Sequence, residues 1–351
     1  MKTSQRSNVP LLTGLALAGA AITGVAVAGL AATAAFAFRR HLRRDDRMPG
    51  RVVLITGGSR GLGLALAERF ARADARLVLA ARNPDELTAA RDLLLTRGAL
   101  ERPEHAHLIP ADITDDVQAA QLVERTIAHF SRIDILINNA GVIEVGAFQD
   151  QPLDAYTRAM DTHFWAALHT ITAALPHMLA QAAEPDSPRP AIVNIASIGG
   201  KVAVPHLLPY VASKFALVGF SEGLHAELRP KGVRVTTVCP GLMRTGGEDH
   251  ARFLGHSDKE ARWFQFSAKT PGISTSVAHA ASKIFNAVVA GRAEITITPQ
   301  AWLAARVHGL APEIAQFAAS LAQEYILPAP LKSGSALPEK SRGALLGDPE
   351  Q

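Results

Sequence analysis

Hydrophobic positions beyond Gly50 follow a regular alternation of short runs rich in Val, Ile and Leu with helix-length amphipathic segments. Because each parallel strand pair needs a long crossover, apolar strands that alternate with helices predict a parallel sheet covered on both faces. We therefore predict an α/β fold with a single doubly wound parallel sheet of about seven strands, whose ligands lie outside the carboxyl ends of the strands. The predicted strands are Arg51–Thr56, Arg76–Ala81, His107–Ala111, Ile133–Ile137, Ala191–Ala196, Val233–Val238 and Glu294–Thr298, and the predicted helices are 61–73, 84–97, 115–131, 153–182, 207–229 and 275–290.

A different pattern precedes this alternation. No residue from Val9 to Phe38 is charged, and four arginines follow within residues 39–44. At about 1.5 Å per residue, a helix over 9–38 spans more than the hydrocarbon core of a bilayer. Because cationic side chains favour the cytoplasmic side, we predict a single-pass membrane anchor with a short outer tail (1–8), a basic juxtamembrane linker (39–50) and a cytoplasmic catalytic domain. A cleaved signal peptide and a soluble helix are the alternatives.

Composition narrows the classes of function. The 351 residues are 48% hydrophobic, enough for a core, and the length fits one large α/β domain or two small ones. Cys239 is the single cysteine, so no intrachain disulfide or thiolate metal cluster can form. The histidines lack metal-ligand spacing, so no metal site is predicted. The net charge of +4 arises in residues 1–50, which hold seven Lys and Arg against two Asp. The nearly neutral remainder argues against a nucleic-acid partner.

A glycine-rich turn, Thr56-Gly57-Gly58-Ser59-Arg60-Gly61-Leu62-Gly63, joins the first strand to the first helix. Glycines permit a tight turn and let backbone N–H groups approach a pyrophosphate at the helix N-terminus. The spacing differs from the Gly-x-Gly-x-x-Gly fingerprint, and an ordinary glycine-rich turn is the alternative. The second strand ends at Arg82, without the acidic residue that binds a ribose 2′-hydroxyl. Arg82 and Arg60 can bind a 2′-phosphate, so NADP(H) is favoured over NAD(H), although both could be plain surface groups.

Three polar residues suggest proton transfer. Ser197 follows the fifth strand, and Tyr210 and Lys214 lie one turn apart on one face of the next helix. A phenol with a pKa of about 10 exchanges protons poorly at neutral pH, and a neighbouring ammonium would lower this pKa. Ser197 could then hold a carbonyl oxygen while Tyr210 donates a proton to it. A Tyr-x-x-x-Lys pair alone is common on helix surfaces, but the serine at a strand end favours the catalytic interpretation.

Taken in order, these motifs resemble the classical short-chain dehydrogenase/reductase family across roughly residues 50–300. The matching pieces are Thr56-Gly57…Gly61-Leu62-Gly63, Asp112 after the third strand, Asn138-Asn139-Ala140-Gly141 after the fourth, Ser197, Tyr210…Lys214 and Pro240-Gly241…Thr245. The resemblance implies a Rossmann-type fold, a nicotinamide cofactor, and hydride transfer between a carbonyl and an alcohol with the tyrosine as general acid and base.

The resemblance also implies roles for single residues. Asp112 would contact the adenine, Asn139 would support the central sheet and the cofactor, and Lys214 would also bind the nicotinamide ribose. Pro240, Gly241 and Thr245 would line the nicotinamide pocket. The candidate cofactor-binding residues are thus Gly57, Ser59, Arg60, Gly61, Leu62, Gly63, Arg82, Asp112, Ile113, Asn139, Ala140, Gly141, Tyr210, Lys214, Pro240, Gly241 and Thr245.

One position departs from the family pattern. The family usually has an asparagine in the helix after Asn-Asn-Ala-Gly, where it supports a proton-relay water, and His163 occupies that position here. A histidine, which titrates near neutrality, could still hold a water. The change could equally give a slower relay, a changed pH profile or a different helix kink. We expect His163 to join Ser197, Tyr210 and Lys214 in a working catalytic group.

Further segments extend the catalytic domain, which is expected to cover 51–300. Residues 246–272 fall where the family places a substrate lid, and their aromatic residues indicate either an apolar pocket or the lid's own core. The extension at 301–330 predicts two helical pieces that pack on the domain or on a sister subunit, or lie on a bilayer. Residues 331–351 are rich in Pro, Gly, Ser and charge and are expected to be disordered. The lid aromatics are Phe253, Trp263, Phe264 and Phe266, and the break between the helices falls around Gly309 and Pro312.

An anchor would concentrate the enzyme near lipophilic compounds. We therefore expect an NADP(H)-dependent oxidoreductase acting on a small lipophilic carbonyl or alcohol. Two alternatives stay open: an NADPH-binding membrane sensor or scaffold with little turnover, and a ketoacyl reductase. A homo-oligomer is possible, although no interface is visible in the sequence.

Overall fold

A parallel sheet of seven strands runs through the part of the chain that the structure describes. In this computed structural model, that part is residues 48–331 without 245, 247–250 and 271–273. The strands are β1 Val52–Thr56, β2 Arg76–Ala81, β3 Ala106–Pro110, β4 Ile135–Asn138, β5 Ala191–Ile195, β6 Arg234–Cys239 and β7 Glu294–Thr296. Their order is β3-β2-β1-β4-β5-β6-β7 and every pair is parallel, which confirms the predicted doubly wound sheet. The strand order reverses between β1 and β4, where such sheets open a crevice at their carboxyl ends.

Helices cover both faces of the sheet. Asn83 and Asp115 begin two of them by accepting hydrogen bonds from backbone N–H groups of the first turn, as N-cap residues do. In chain order the helices are α1 Gly61–Ala71, α2 Pro84–Thr96, α3 Asp116–Phe130, α4 Leu153–Met160, α5 Ala166–Ala183, α6 Leu208–Leu228, α7 Ser257–Lys269, α8 Val277–Val289, α9 Pro299–Leu310 and α10 Pro312–Tyr325.

The sheet divides the core into two layers. Because successive side chains of a strand point to opposite faces, Val53 of β1 packs in one layer and Leu54 in the other. In the first layer, the Phe70 ring of α1 meets the Phe285 ring of α8 with 5.0 Å between centroids. Strands buried on both faces need apolar residues at nearly every position, which explains the unbroken hydrophobic runs in the sequence.

A line of polar side chains crosses three neighbouring strands inside this core. Asn138 of β4 donates to Asn194 of β5, and Asn194 donates to Ser221 of α6, each at 3.0 Å. Thr237 of β6, which is in register with Asn194, donates to the same Ser221 oxygen at 2.7 Å. Thr170 of α5 donates to Asn138 at 2.7 Å. All five side chains are buried, and these bonds offset the cost of removing them from water.

The helix predicted over 153–182 is not continuous. A π-helical turn, Asp161–Trp165, separates α4 from α5 and contains His163. Such turns insert an extra residue into the helical repeat and are frequent at functional sites. The other predicted strands and helices before residue 300 end within two residues of their observed ends.

The segment after β6 contains α7, a helix that the sequence analysis did not predict. Phe264 of α7 is buried with Val145, Leu207 and Val211. Phe266 is 70% exposed. The aromatic residues of the expected lid therefore divide between an apolar cluster and the surface.

The last two helices, α9 and α10, meet at Ala311 and expose most of their apolar side chains. In the described ranges, no helix is both long and apolar enough to cross a bilayer. The predicted anchor at 9–38 and the predicted tail from Lys332 onward lie outside those ranges. The exposed large apolar residues of α9 and α10 are Trp302, Leu303, Val307, Leu310, Ile314, Phe317, Leu321 and Tyr325.

Candidate active site

The turn between β1 and α1 forms a glycine-lined cradle at the carboxyl end of the sheet. Gly57 and Gly61 have φ angles of 63° and 55°, which favour glycine. A Cβ on Gly63 would overlap the carbonyl oxygen of Gly57, so α1 can begin this close to the turn only with a glycine there. The first turn of α1, which includes Leu62, has no side-chain cap. Its backbone N–H groups are therefore available to an anion such as a phosphate.

The loop after β4 is fastened to this cradle. The Asn139 side-chain amide donates to the carbonyl oxygens of Thr56 and Gly57, each at 3.1 Å. The Thr56 hydroxyl oxygen accepts from the backbone N–H groups of Asn139 and Ala140, at 3.0 and 3.2 Å. Asn139 thereby holds the ends of β1 and β4 together beside the crevice.

One carboxylate forms hydrogen bonds with the side chains of two predicted cofactor-binding residues. Glu86, in the first turn of α2, accepts from the Ser59 hydroxyl at 2.9 Å and from the Arg60 guanidinium at 3.2 Å. Sequence reasoning missed Glu86 because an acidic residue in a first helical turn is ordinary. Arg82 is exposed, with no hydrogen-bond or ion-pair partner among the described residues.

The loop after β3 is rigidly held. The Asp112 carboxylate accepts from the backbone N–H of Thr114 at 3.1 Å and from its hydroxyl at 2.8 Å. The Asp112 backbone N–H donates to the Gln118 side chain at 3.0 Å. Ile113, between these polar residues, is buried. A carboxylate and an apolar surface therefore lie at the same sheet edge as the cradle.

The structure brings Ser197, Tyr210 and Lys214 together beyond the end of β5. The Ser197 hydroxyl oxygen accepts from the Gly199 N–H at 3.0 Å. The Lys214 ammonium donates to the carbonyl oxygen of Ile195 at 2.8 Å and lies 5.7 Å from the centre of the Tyr210 ring. A methyl group on Gly199 would lie 3.2 Å from the Tyr210 ring and 3.5 Å from the Ser197 hydroxyl oxygen. The serine and tyrosine side chains therefore border the same small space.

Burial dominates the proton affinities of this group. Burial raises the pKa of the Tyr210 phenol above its usual value, and a hydrogen bond with the Ser197 side chain partly offsets this rise. Burial also lowers the pKa of Lys214 to about 7. The lysine consequently carries only part of its charge at neutral pH. The net shift of the phenol pKa is therefore upward, opposite to the lowering that the sequence pattern predicted from a neighbouring ammonium.

His163 is buried in the π-helical turn and bonded at both ring nitrogens. The Val142 backbone N–H donates to Nε2 at 3.1 Å, so Nε2 is the acceptor and the ring proton lies on Nδ1. Nδ1 lies 2.7 Å from the Ser213 hydroxyl oxygen and donates to it, and Ser213 donates to the carbonyl oxygen of Tyr210 at 2.8 Å. His163 thus links the loop after β4 to the backbone of the tyrosine.

The environment keeps this imidazole neutral. Burial, reinforced by the charge of Lys214, holds the pKa of His163 well below its usual value. Its ring meets the Tyr210 ring edge to face at 5.3 Å, and a methyl group on Gly141 would lie 3.2 Å from Nε2. Sequence reasoning missed its partner Ser213, because no motif distinguishes that serine from any other residue of the helix.

The end of β6 completes the site. The Ile198 N–H donates to the carbonyl oxygen of Pro240 at 2.8 Å, which ties β6 to the turn that holds Ser197. Gly241 packs against Thr298, whose hydroxyl a Cβ at Gly241 would overlap. Thr245, predicted to line the same pocket, lies outside the described residues.

These residues suit a nicotinamide dinucleotide. The uncapped helix and the close contact at Gly63 leave room for a pyrophosphate at one end of the crevice. The hydroxyl, phenol and amine at the other end can hold and protonate a carbonyl oxygen.

Comparison with known proteins identifies the family. A family model described as short chain dehydrogenase matches residues 51–252. Dehydrogenase/reductase SDR family protein 7-like of Anopheles gambiae is 33% identical over 273 residues, which are 78% of this chain and 83% of that protein. The 11-beta-hydroxysteroid dehydrogenase-like 4A of Arabidopsis thaliana is 34% identical over 210 residues, 60% of this chain and 66% of that protein.

Solved structures share the fold. A short-chain dehydrogenase/reductase from Burkholderia phymatum, solved in complex with NAD, has a TM-score of 0.68 at 24% identity. The match covers 82% of this chain and 99% of that one. The chain belongs to the short-chain dehydrogenase/reductase family and is an oxidoreductase acting on CH–OH and C=O groups.

Proposed function

We propose that this protein is an NADP(H)-dependent oxidoreductase that interconverts a lipophilic carbonyl compound and its alcohol. The observation that carries the proposal is the convergence of Ser197, Tyr210 and Lys214 beyond β5, across the crevice from the glycine-lined cradle. Both features lie at the carboxyl ends of parallel strands, where open α/β sheets bind their ligands.

Tyr210 exchanges the proton at the substrate oxygen. A nicotinamide nucleotide, when bound, supplies or accepts the hydride. The Ser197 hydroxyl orients the substrate oxygen, and the Tyr210 phenol, kept protonated by burial, donates its proton in the reducing direction. Lys214 then favours the phenolate that is left. With a pKa of about 7, it can also take up or release a proton near neutral pH.

Two arginines support a preference for NADP(H). Arg82 follows β2 at the position where a carboxylate would favour NAD(H). Arg60 lies in the cradle and is 54% exposed, so it can turn from Glu86 towards a 2′-phosphate. The Burkholderia phymatum protein, which shares the fold, was solved in complex with NAD, so the fold alone does not favour NADP(H) and the proposal rests on the two arginines.

A bilayer is the proposed partner. The uncharged run at 9–38 and the arginines after it support a single-pass anchor with a cytoplasmic catalytic domain. The exposed apolar side chains of α9 and α10 add a second surface that suits lipid. An enzyme held at a membrane meets compounds that partition into it, and steroids are one such class, given the name of the Arabidopsis relative.

The mechanism is tested with the purified full-length protein and Tyr210→Phe. NADPH consumption is followed with steroid ketones and long-chain ketones and aldehydes. Loss of the proton donor should lower turnover by about 100-fold or more, whereas NADPH affinity, measured by fluorescence, should stay unchanged. Tyr325→Phe, at an exposed tyrosine of α10, is the matched control. Intact turnover in Tyr210→Phe would refute the mechanism.

Cofactor and membrane proposals have separate tests. Tighter binding of NADH than of NADPH by the natural protein would overturn the cofactor preference.

In flotation with phosphatidylcholine vesicles, the full chain is expected at the top of the gradient, and loss of residues 9–38 should weaken this association. A full chain that stays at the bottom would contradict the membrane proposal.

A further inference from the structure

A buried polar pair joins the segment before α6 to α7. Nδ1 of His206 lies 2.7 Å from one carboxylate oxygen of Glu260, and their side chains are 1% and 2% exposed. The other carboxylate oxygen accepts from the Trp263 indole N–H at 2.6 Å. Both oxygens of Glu260 are therefore engaged, one by its own helix and one by the segment that leads to Tyr210.

The backbone of His206 is also unusual. Its φ angle of 64° lies in the left-handed region, which few residues other than glycine adopt, although asparagine, aspartate and histidine adopt it more often than most. Its carbonyl oxygen accepts from the Gly146 N–H at 2.9 Å and from the Gln151 side chain at 3.2 Å. A strained backbone of this kind persists only where its surroundings hold it. Here hydrogen bonds hold both the main chain and the side chain.

This junction adjoins the catalytic tyrosine. His206 directly precedes Leu207, the N-cap of α6, and lies four residues before Tyr210. The Tyr210 ring packs against the apolar cluster of Leu207, Val211 and Phe264, the last of which belongs to α7. A shift of α7 would therefore disturb both the start of α6 and the packing of the phenol.

Simple packing does not account for the histidine. His206 Nε2 is buried and has no hydrogen-bond partner among the described residues. A buried polar atom without a partner is destabilising, and an apolar side chain of similar size would avoid that cost. The bond from Nδ1 to α7 is what distinguishes histidine from such a side chain.

We propose that His206, Glu260 and Trp263 form a latch through which α7 positions Tyr210. When α7 is seated, the Glu260 carboxylate holds His206 in its strained conformation and thereby fixes the first turn of α6. His206 and Glu260 are positioning residues that act through Tyr210. The kinetic consequence rests on the proposed function, because Tyr210 must be the proton donor for its placement to affect turnover.

Hydrogen exchange of the full-length protein tests the latch without any substrate. In Glu260→Gln, one of the two donors loses its acceptor, so exchange should accelerate in α7 and also in residues 207–211. Asp258→Asn removes an exposed carboxylate from the same helical turn and is the matched control, with no change expected. Faster exchange in α7 alone, or the same effect in Asp258→Asn, would overturn the proposal. Trp263→Phe keeps the bond between His206 and Glu260 and should give a smaller change in both segments. This variant replaces Glu260→Gln in the exchange experiment if Glu260→Gln does not fold.

Kinetics provide the second measurement. With NADPH and 2-decanone, Glu260→Gln should lower kcat about 10-fold, because a displaced Tyr210 is a poorer proton donor, and leave the Kd for NADPH unchanged. His206→Asn tolerates the left-handed backbone and keeps a donor, so it should retain most of the turnover. Loss of NADPH binding in Glu260→Gln would contradict a role confined to Tyr210. If the natural protein reduces no ketone, the proposed function fails, and the exchange measurement still decides on the latch.

Discussion

Replacing His163 by asparagine tests the environment of the buried imidazole in the π-helical turn. The imidazole is buried and neutral, with Nε2 bonded to Val142 and Nδ1 to Ser213. An asparagine can still present an oxygen to the Val142 N–H, but it cannot take up a proton at mildly acidic pH. The two side chains should therefore differ in how stability depends on pH.

The size of this difference follows from the lowered pKa. Below a pH of about 6.5, the unfolded chain binds a proton at His163 that the folded chain does not bind, so the free energy of unfolding falls as the pH falls. The slope is about 1.4 kcal/mol per pH unit until the pKa of the folded state is reached. Between pH 7.5 and 5.0, the natural protein should therefore lose stability that His163→Asn keeps. The loss is at most about 2 kcal/mol, the limit reached when the folded imidazole stays neutral over the whole range.

Urea unfolding of both proteins at the two pH values, followed by tryptophan fluorescence, measures this change. His177→Asn, at an exposed histidine of α5, is the matched control for removing a histidine. A stability gap between natural protein and His163→Asn that is the same at both pH values would show that the ring is not held neutral. If the natural protein has no activity and His163→Asn gains turnover, the sensor interpretation is favoured instead.

Three further predictions concern the cradle and the core. Gly63→Ala should weaken NADPH binding about 10-fold or more, because the new Cβ overlaps the Gly57 carbonyl oxygen; an unchanged fluorescence titration would contradict this. Glu86→Gln releases Arg60 and removes a negative charge, so it should tighten NADPH a few-fold at low salt without tightening NADH; an equal gain for both nucleotides would count against the argument. Phe70→Ala should cost about 3–5 kcal/mol of unfolding free energy, measured in urea, because the ring is fully buried; a loss below about 1 kcal/mol would show that the core refills the space.

The sheet was predictable because its signals are local. Each strand is visible in the sequence as an apolar run. The glycine-rich turn at Gly57 and the tyrosine-lysine pair at Tyr210 are recognised from short spacings. The parallel order then brings the ends of β1 and β5 to one edge without further information.

The interrupted helix at His163 was not predictable in this way. Its partners Val142 and Ser213 are 21 and 50 residues away in the chain, and no periodicity signals contacts of that range. The lowered pKa of Lys214 could not be predicted from the sequence, for a related reason. A sequence places an amine beside a phenol, but only the folded structure determines how much water reaches either group.

Helix α7 was not predicted from the sequence because its first turn is strongly polar, with Glu260 among charged neighbours. A glutamate in such a turn is usually solvated, and nothing in the sequence indicated that His206 would be brought against it from 54 residues away.

The line of side-chain hydrogen bonds through Asn138, Asn194 and Thr237 also guards against an assembly error. Because both faces of this sheet are buried, a strand that slips by one residue only moves its apolar side chains into the other layer of the core. A slip by two residues keeps every apolar side chain facing inward, so hydrophobicity alone discriminates poorly against it. In this chain, such a slip would place the buried amide and hydroxyl groups opposite aliphatic side chains, where they have no hydrogen-bond partners. The few polar residues at the centre of the sheet thus make the correct alignment of β4, β5 and β6 uniquely favourable.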